Sequence, residues 1–354
     1  MDKIKVDLLC LFQENTGQTV YFKELSRELK KIKWLDLKII NPNESRIFSF
    51  LNHYSNSLAL KSLPFLLGKK IRNDSIIHIT NQELFFLLQS IKNKSIVTLH
   101  DLSLFSYYKI WKEKDVKLLN KTEKIICISN STKKELDEKF PVLAQKVVVV
   151  YCGLKSNLKK SNSNIREKYG LNEKDRIILF IGSDDEKKNF FTLLKAFSEL
   201  KQENLILVKV GSPWTMHESQ RKKFESFISE HWLEEKVKIL DSVSNQDLTD
   251  FYFEAEIFVC PSHYEGFGLT LIEAMACGCP VVSADNTSLP EIAGNAALFF
   301  NSENENQLLE QLNKILNDEN LKKDLIQKGF QNIKRFNWKK SAKKLAEIYK
   351  GINK

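Results

Sequence analysis

The sequence predicts an α/β protein built from two doubly wound, Rossmann-like domains facing across a cleft. Three observations lead there. Short apolar runs rich in β-branched residues alternate with longer amphipathic stretches along the chain, the pattern of parallel strands covered on both faces by helices. The series comes in two sets, separated by the polar segment 151–163, rich in Ser, Asn and Lys, which reads as a linker. A length of 354 residues with 42% apolar and 28% charged side chains suits two cores of ordinary size in a soluble protein.

In the first set, candidate strands run over 7–12, 76–79, 96–99, 125–128 and 147–150; in the second, over 177–181, 205–210, 237–239, 257–260 and 281–283. Between them, stretches such as 20–32 and 190–200 space their apolar residues at the helical repeat. The resulting domains are 1–155 and 156–335, followed by a terminal helix in 336–354. Ala342, Leu345, Ala346 and Tyr349 share one face of that helix, so it must pack on something. It either completes the second domain or crosses back to the first.

The first dozen residues are interrupted by Lys5 and Asp7 and lack a small-residue cleavage site, so they read as a buried strand and not as a signal peptide. No apolar run approaches the roughly 18 residues that cross a bilayer. Cys10, Cys127, Cys152, Cys260, Cys277 and Cys279 show no Cys-x-x-Cys spacing and read as reduced core thiols in a reducing compartment. Cys277-Gly278-Cys279 lacks the second pair or the histidines of a zinc site. A cytoplasmic protein is expected. The net charge of +9 is uneven, with +10 in residues 1–155 and −1 in the remainder. A basic half asks for an anionic partner, phosphate or a membrane surface. No nucleic-acid-binding motif accompanies it.

The chemistry concentrates in 258–283, which reads as strand, loop, helix, glycine stop and strand. Pro261 ends the first strand, Gly266 and Gly268 free the loop, and Gly278 stops the helix. In a doubly wound domain ligands bind at the C-terminal strand edge. A glycine loop feeding a helix there offers N–H groups and a positive dipole end to a phosphate. Glu265 in the loop and Glu273 one turn inside the helix flank that site. A carboxylate accepts two hydrogen bonds from a vicinal diol, so an acid on either side of a phosphate site matches the ribose, diphosphate and sugar of a nucleotide sugar. Two glutamates at this spacing also occur as a loop acid and a solvated helix residue; the surrounding Pro, Gly-x-Gly and Pro-Val-Val context favours the site.

The stretches Pro261-Ser262-His263-Tyr264-Glu265-Gly266-Phe267-Gly268-Leu269 and Glu273-Ala274-Met275-Ala276-Cys277-Gly278-Cys279-Pro280-Val281-Val282 resemble the signature of glycosyltransferase family 4, retaining transferases of the GT-B fold. Further matches are Gly182-Ser183-Asp184-Asp185-Glu186-Lys187-Lys188-Asn189, Leu289-Pro290-Glu291-Ile292-Ala293-Gly294, Ser129-Asn130-Ser131-Thr132-Lys133, Thr98-Leu99-His100-Asp101 and Phe336-Asn337-Trp338. The resemblance covers nearly the whole chain and is looser before about residue 75.

The resemblance implies a role for each matched residue. Glu273 holds the ribose hydroxyls and Glu265 faces the transferred sugar. The backbone of Gly266, Phe267, Gly268, Leu269 and Thr270 binds sugar hydroxyls and diphosphate, with Gly182 at the start of the basic segment. Lys188, supported by Lys187, stabilises the departing diphosphate. His100 touches the sugar near the reacting carbon, and Gly17 brings backbone N–H groups near the diphosphate. Catalysis is therefore expected from His100, Lys188 and Glu265, with no metal and no cofactor beyond the donor. Charge that develops on a leaving diphosphate is stabilised by fixed cations and amides, and the chain has no Asp-x-Asp metal-diphosphate string. Asp184-Asp185 reads as a helix cap. Two departures stand out: Ser183 occupies the place of a common family arginine, and the first loop has a single glycine. His78 and Gln82 either line the cleft or simply end a strand.

Two stretches, 58–72 and 105–117, mix aromatic or apolar residues with lysines. They are either a docking surface for anionic lipid headgroups or amphipathic core helices with solvated lysines. The expectation is a hexosyltransferase that uses a nucleotide sugar and a saccharide or lipid-linked acceptor. It would serve polysaccharide, lipopolysaccharide or glycolipid assembly, in the cytoplasm or peripherally on the cytoplasmic membrane face. The alternatives are a non-catalytic nucleotide-sugar-binding subunit and a sugar-nucleotide epimerase.

Overall fold

The computed structural model describes residues 3–11, 16–41, 67, 70–212 and 218–353. The chain forms two compact units, one of residues 1–155 and 336–354 and one of 156–335.

The first unit holds a parallel sheet of order β2-β1-β3-β4-β5-β6. Its strands are β1 Ile4–Leu9, β2 Leu35–Ile40, β3 Ile76–Ile79, β4 Ser95–Leu99, β5 Lys124–Cys127 and β6 Val147–Val149. Strands β3 and β4 are buried at every position, as strands covered on both faces are. The sequence reading begins the first strand at Asp7 and has no β2. Observed β1 begins at Ile4 because polar Asp7 lies inside the strand, fully buried. Arg72 donates to it from Nε at 2.7 Å and from its backbone N–H at 2.8 Å, and Ser75 Oγ donates at 3.0 Å. Strand β2 is an edge strand with only its ends buried, so it lacks the apolar run of its neighbours.

The helix Trp338–Asn353 packs on the helix Gly17–Leu29 of this unit. Its buried residues Trp338, Ser341, Ala342, Leu345, Ala346 and Tyr349 recur every three or four positions. Leu154 N–H donates to Phe336 O at 3.2 Å. A Cβ on Gly153 would lie 2.3 Å from Trp338 N and 2.5 Å from its Cγ, so glycine lets the backbone lie directly against Trp338. Tyr349 OH meets His78 Nδ1 at 2.6 Å, and His78 Nε2 meets Thr98 Oγ1 at 2.8 Å. His78 thus rivets the helix to the sheet from inside the core and lines no crevice. Burial pushes its pKa down to about 3. The unfolded chain binds a proton on this ring near pH 6.5, whereas the folded one does not, so stability is lost as pH falls from there toward 3. His78 is expected to contribute about 2 kcal/mol of destabilisation between pH 7 and pH 5. A shallower fall of Tm with pH in His78→Gln than in the wild type checks this.

The second unit holds a parallel sheet of order β12-β11-β10-β7-β8-β9. Its strands are β7 Arg176–Ile181, β8 Leu205–Val210, β9 Val237–Leu240, β10 Ala255–Cys260, β11 Val281–Ala284 and β12 Ala297–Phe300. From β7 the chain builds outward to β8 and β9; from β10, hydrogen-bonded to β7 on the other side, it builds to β11 and β12. Strand order therefore reverses between β7 and β10, and in the first unit between β1 and β3. Strand β12 is again an edge strand absent from the sequence reading, its middle two residues only half-buried. All six cysteines are buried free thiols. Burial pushes Cys260 and Cys277 up to about 12, away from the thiolate that redox or metal chemistry uses.

Candidate active site

Where strand order reverses, the loops at the C-terminal strand ends diverge and leave a crevice. In the second unit these loops follow β7 and β10. The first begins at Gly182, whose N–H donates to Val210 O at 2.9 Å. Asp185 Oδ1 then accepts the Lys187 N–H at 2.9 Å and caps the single 3-10 turn Glu186–Lys188. Of the acidic doublet, Asp185 alone is this cap. Asn189 follows in the left-handed region, φ 54°. Its Nδ2 donates to Pro261 O at 2.9 Å and Ser302 O at 2.8 Å. His263 N–H donates to Lys187 O at 2.8 Å. The two loops are thereby stitched together.

Across the stitch, Lys188 Nζ donates to Glu265 Oε1 at 2.6 Å. Ser262 Oγ donates to the same oxygen at 2.9 Å. The Glu265 backbone is held on both sides: its N–H donates to Thr287 Oγ1 at 3.1 Å and its carbonyl accepts from Ser288 Oγ at 2.9 Å. Burial works against the Lys188 charge, but the charge and hydrogen bond of Glu265 outweigh it, and the pKa ends above the usual lysine value. Lys188 is a cation throughout the neutral range.

Gly268 opens the helix Leu269–Ala276 at φ 93°, with no side-chain cap. A Cβ there would lie 2.9 Å from Leu271 Cδ1, so both the turn and the packing demand glycine. The first-turn amides are left without a side-chain acceptor, and the positive end of the helix dipole adds to them. One turn on, Glu273, 8% exposed, accepts from Tyr252 OH at 3.1 Å. Tyr252 is buried in the helix Asn245–Glu254. Burial, then the Glu273 charge, pushes its pKa well above 10, so it remains a donor. Nothing in the sequence singles out Tyr252, one hydroxyl in a run of aromatic residues.

Lys209 is a second residue that the sequence reading misses, although a lysine inside Leu-Ile-Leu-Val-Lys-Val is itself a signal, since a charge in a buried strand needs a partner. Its Nζ lies 2.6 Å from Asp184 Oδ1, both side chains fully buried. Arg221 donates from Nε to Asp184 Oδ2 and from an NH2 group to Asp241 Oδ1, each at 2.7 Å. Asp184 is therefore the hub of an ion network and not a cap.

In the first unit, Asn81 links the loops after β1 and β3. It accepts the Leu11 N–H at 2.9 Å and donates to Gln18 Oε1 at 2.6 Å. Gly17 is the exposed first residue of its helix, whose Thr16 Oγ1 accepts the Thr19 N–H at 3.3 Å. His100, just after β4, is 8% exposed. Gln82 Oε1 accepts the N–H groups of His100 and Asp101 at 2.7 and 3.0 Å. His100 Nε2 lies 2.8 Å from Thr80 O. A carbonyl only accepts, so Nε2 carries the proton and Nδ1 is left as the acceptor nitrogen. Burial holds the pKa of this ring below its usual value. Tyr21 stands edge-on to it, ring centroids 4.9 Å apart.

Lys188, Glu265 and the turn 266–270 thus converge in the second unit, with Gly182 at the head of the basic loop, Lys187 in its 3-10 turn and Glu273 on the following helix. His100 and Gly17 belong to the first unit. Of the two aromatic and basic stretches, 58–72 falls largely outside the described residues. There Leu67 is a core residue and Arg72 is engaged by Asp7 and Asp36. In 105–117, Phe105 packs on Phe140 and Trp111 on Phe85, centroids 5.1 and 4.7 Å apart. These two rings serve the core; Tyr107 and Tyr108, centroids 5.1 Å apart, are half-buried and Ile110 is 61% exposed.

A family model described as Glycosyl transferases group 1 matches residues 161–332, and one described as Glycosyltransferase Family 4 matches residues 15–157. The chain is 28% identical over 239 residues to the O-antigen chain mannosyltransferase B of Escherichia coli, covering 66% of this chain and 61% of that one. It is 30% identical over 229 residues to an N-acetylgalactosaminyltransferase of Campylobacter jejuni named for a diphospho-undecaprenol acceptor, covering 64% of this chain and 60% of that one. The chain spans about three fifths of the length of these curated relatives. Among solved structures, sucrose-phosphate synthase of Thermosynechococcus elongatus superposes with a TM-score of 0.79 at 19% identity, over 99% of both chains. The HepE protein of Anabaena, solved with UDP and glucose, superposes at 0.80 and 16% identity over 98% of this chain and 100% of its own.

Proposed function

We propose a retaining, metal-independent hexosyltransferase that draws on a nucleotide-diphosphate sugar, and the premise is that the chain belongs to glycosyltransferase family 4. The observation that carries the reading is the 2.6 Å Lys188–Glu265 pair beside a helix start without a side-chain cap, with Glu273 on the same helix. In this reading the donor diphosphate competes for Lys188, with Lys187 and the amides of Gly182 and 266–270 beside it. That frees Glu265 for the hydroxyls of the sugar. Glu273, oriented by Tyr252, takes the ribose diol. His100 offers Nδ1 as an acceptor to a sugar hydroxyl, and Gly17 presents backbone to the diphosphate. As the bond to the anomeric carbon breaks, charge grows on the diphosphate, and a fixed ammonium with helix amides stabilises it most at that moment.

A thermal-shift panel of UDP, GDP, ADP and their hexose conjugates tests the donor class, because a ligand that binds only the folded state raises Tm. Transfer that survives EDTA and keeps the anomeric configuration supports the metal-free, retaining chemistry. Transfer abolished by EDTA, or an inverted product, overturns it. Glu273→Ala is expected to weaken nucleotide-sugar binding about 10- to 100-fold, the loss of charged hydrogen bonds to a diol. Glu265→Ala is expected to reduce turnover at nearly unchanged affinity. Wild-type affinity in Glu273→Ala rules out the ribose role.

We further propose a saccharide or lipid-linked acceptor, as the names of the mannosyltransferase and undecaprenol-dependent relatives suggest. Among the described residues no helix is long and apolar enough to cross a membrane. Charge supports peripheral docking on an anionic bilayer: the first unit carries a net +15 and the second −6. Lys339, Lys340, Lys343, Lys344 and Lys350 form an exposed stripe on the terminal helix, and each basic residue near an anionic surface is worth about 1 kcal/mol. Flotation with anionic but not neutral vesicles checks this. A second reading, a nucleotide-sugar-binding subunit without turnover, draws on Ser183 in the arginine position. Any transfer by the purified chain that Lys188→Ala abolishes excludes it.

A further inference from the structure

Lys209 sits within the apolar core of the second unit. Its strand neighbours Leu207, Val208 and Val210 are buried, and so are Phe180 and Phe190, whose rings lie about 6 Å from its ammonium (6.0 and 5.8 Å). An apolar side chain would fill this place at no cost in charge, since replacing a buried ion pair with packed apolar residues is often neutral or stabilising. What the ammonium reaches is therefore informative. It donates to Gly211 O at 2.9 Å and Gly182 O at 3.2 Å, and Asp184 Oδ1 stands 2.6 Å away as its ion-pair partner. All three oxygens lie in the segments that leave the C-terminal ends of β7 and β8.

Those segments touch backbone to backbone at this point. Gly211 has φ 140°, and a Cβ on it would fall 2.3 Å from Gly182 O. Three residues beyond Asp184 comes Lys187, capped by Asp185, and then Lys188 on Glu265. The tripod therefore sets the direction in which 182–188 leaves the sheet, from beneath the crevice and out of reach of solvent. Arg221 braces Asp184 from the other side at 2.7 Å.

We infer that Lys209, through Asp184 and the carbonyls of Gly182 and Gly211, is a positioning residue that fixes the phosphate-binding segment 182–188. The inference rests on the donor reading above, in that Lys188 is taken to meet the diphosphate. The ion pair is kept for the shape of a loop, and its contribution to global stability is secondary.

The test separates shape from stability. In the variant Asp184→Leu/Lys209→Met the two fully buried charges are removed together and Arg221 keeps Asp241 at 2.7 Å, so Tm is expected to stay within about 4 °C of the wild type. The affinity for UDP, GDP or ADP, whichever binds the wild type, is expected to fall at least about 10-fold, because small misplacements of phosphate-binding groups carry large penalties. The KM for the donor rises with it, while the KM for the acceptor does not move. Wild-type Tm with wild-type nucleotide affinity overturns the inference. If the double variant fails to fold, Lys209→Met alone decides, since Asp184 then keeps the Arg221 guanidinium at 2.7 Å; wild-type nucleotide affinity there overturns the inference as well. A wild-type protein that binds none of the three nucleotides sinks the donor reading itself; binding by wild type and variants alike sinks only the role of Lys209.

Discussion

Lys188→Ala is expected to lower the rate of sugar transfer about 10²- to 10³-fold at saturating donor, the usual loss when one preorganised group that stabilises transition-state charge is removed. Glu265 keeps the Ser262 hydroxyl at 2.9 Å and its two backbone anchors, so the loop holds its shape. The Lys188 and Glu265 side chains are only 25% and 16% exposed, so the variant leaves a mostly buried carboxylate with the Ser262 hydroxyl alone, at a stability cost of about 1–3 kcal/mol. Turnover should thus fall far more than this loss of stability accounts for. Initial-rate kinetics beside a melting curve of the same sample would show it. Lys188→Arg should recover only part of the rate, because a planar fork does not reproduce a compact ammonium. A variant that transfers sugar within a fewfold of the wild-type rate would remove Lys188 from the chemistry.

Asp184→Ala is expected to act in the opposite sense, through stability, by about 3–5 kcal/mol, the penalty for leaving one partner of a buried ion pair stranded. Lys209 would keep only two carbonyls, and Arg221 only the exposed Asp241. Burial already lowers the Lys209 pKa, with Asp184 the main influence raising it, so the variant lowers it further. The unfolded chain then holds a proton that the folded one has shed, and stability of the variant rises with pH. Urea denaturation at pH 7 and pH 10 is the measurement. The gap between variant and wild type should be large at the first pH and narrower at the second. A gap that widens with pH would contradict a stranded ammonium.

How much of this was readable from residues alone depends on where each residue sits. Strands β3, β4, β8 and β10 are buried almost throughout, and burial on both faces writes itself as a continuous apolar run. Strand β2, Leu-Asp-Leu-Lys-Ile-Ile with only its ends buried, interrupts that run with two charges; β12 is an apolar run, Ala-Leu-Phe-Phe, that the sequence reading passes over. Lys188 and Glu265 could each be placed at a strand end, but their contact depends on β10 pairing with β7 across 77 residues, which local pattern does not encode. The same holds for Asp184, which beside Asp185 looks like an ordinary cap until β8 brings Lys209 beneath it. His78 shows the converse. A histidine at a strand end reads equally as a ligand group or a core group, and only the arrival of Tyr349 from the far end of the chain, 271 residues away, decides it.

The last helix has a consequence for the order in which this protein can be completed. The helix that completes the first unit is the last part of the given sequence to be made, so the unit begun first stays incomplete while 156–335 is being translated. Until that helix is made His78 lacks the hydroxyl on its Nδ1, and the apolar flank of Gly17–Leu29 stays wet. Domains commonly fold in the order they are translated; here a released chain cut short after Arg335 would hold every residue of the second unit and an open first one, which an added protease would cut selectively.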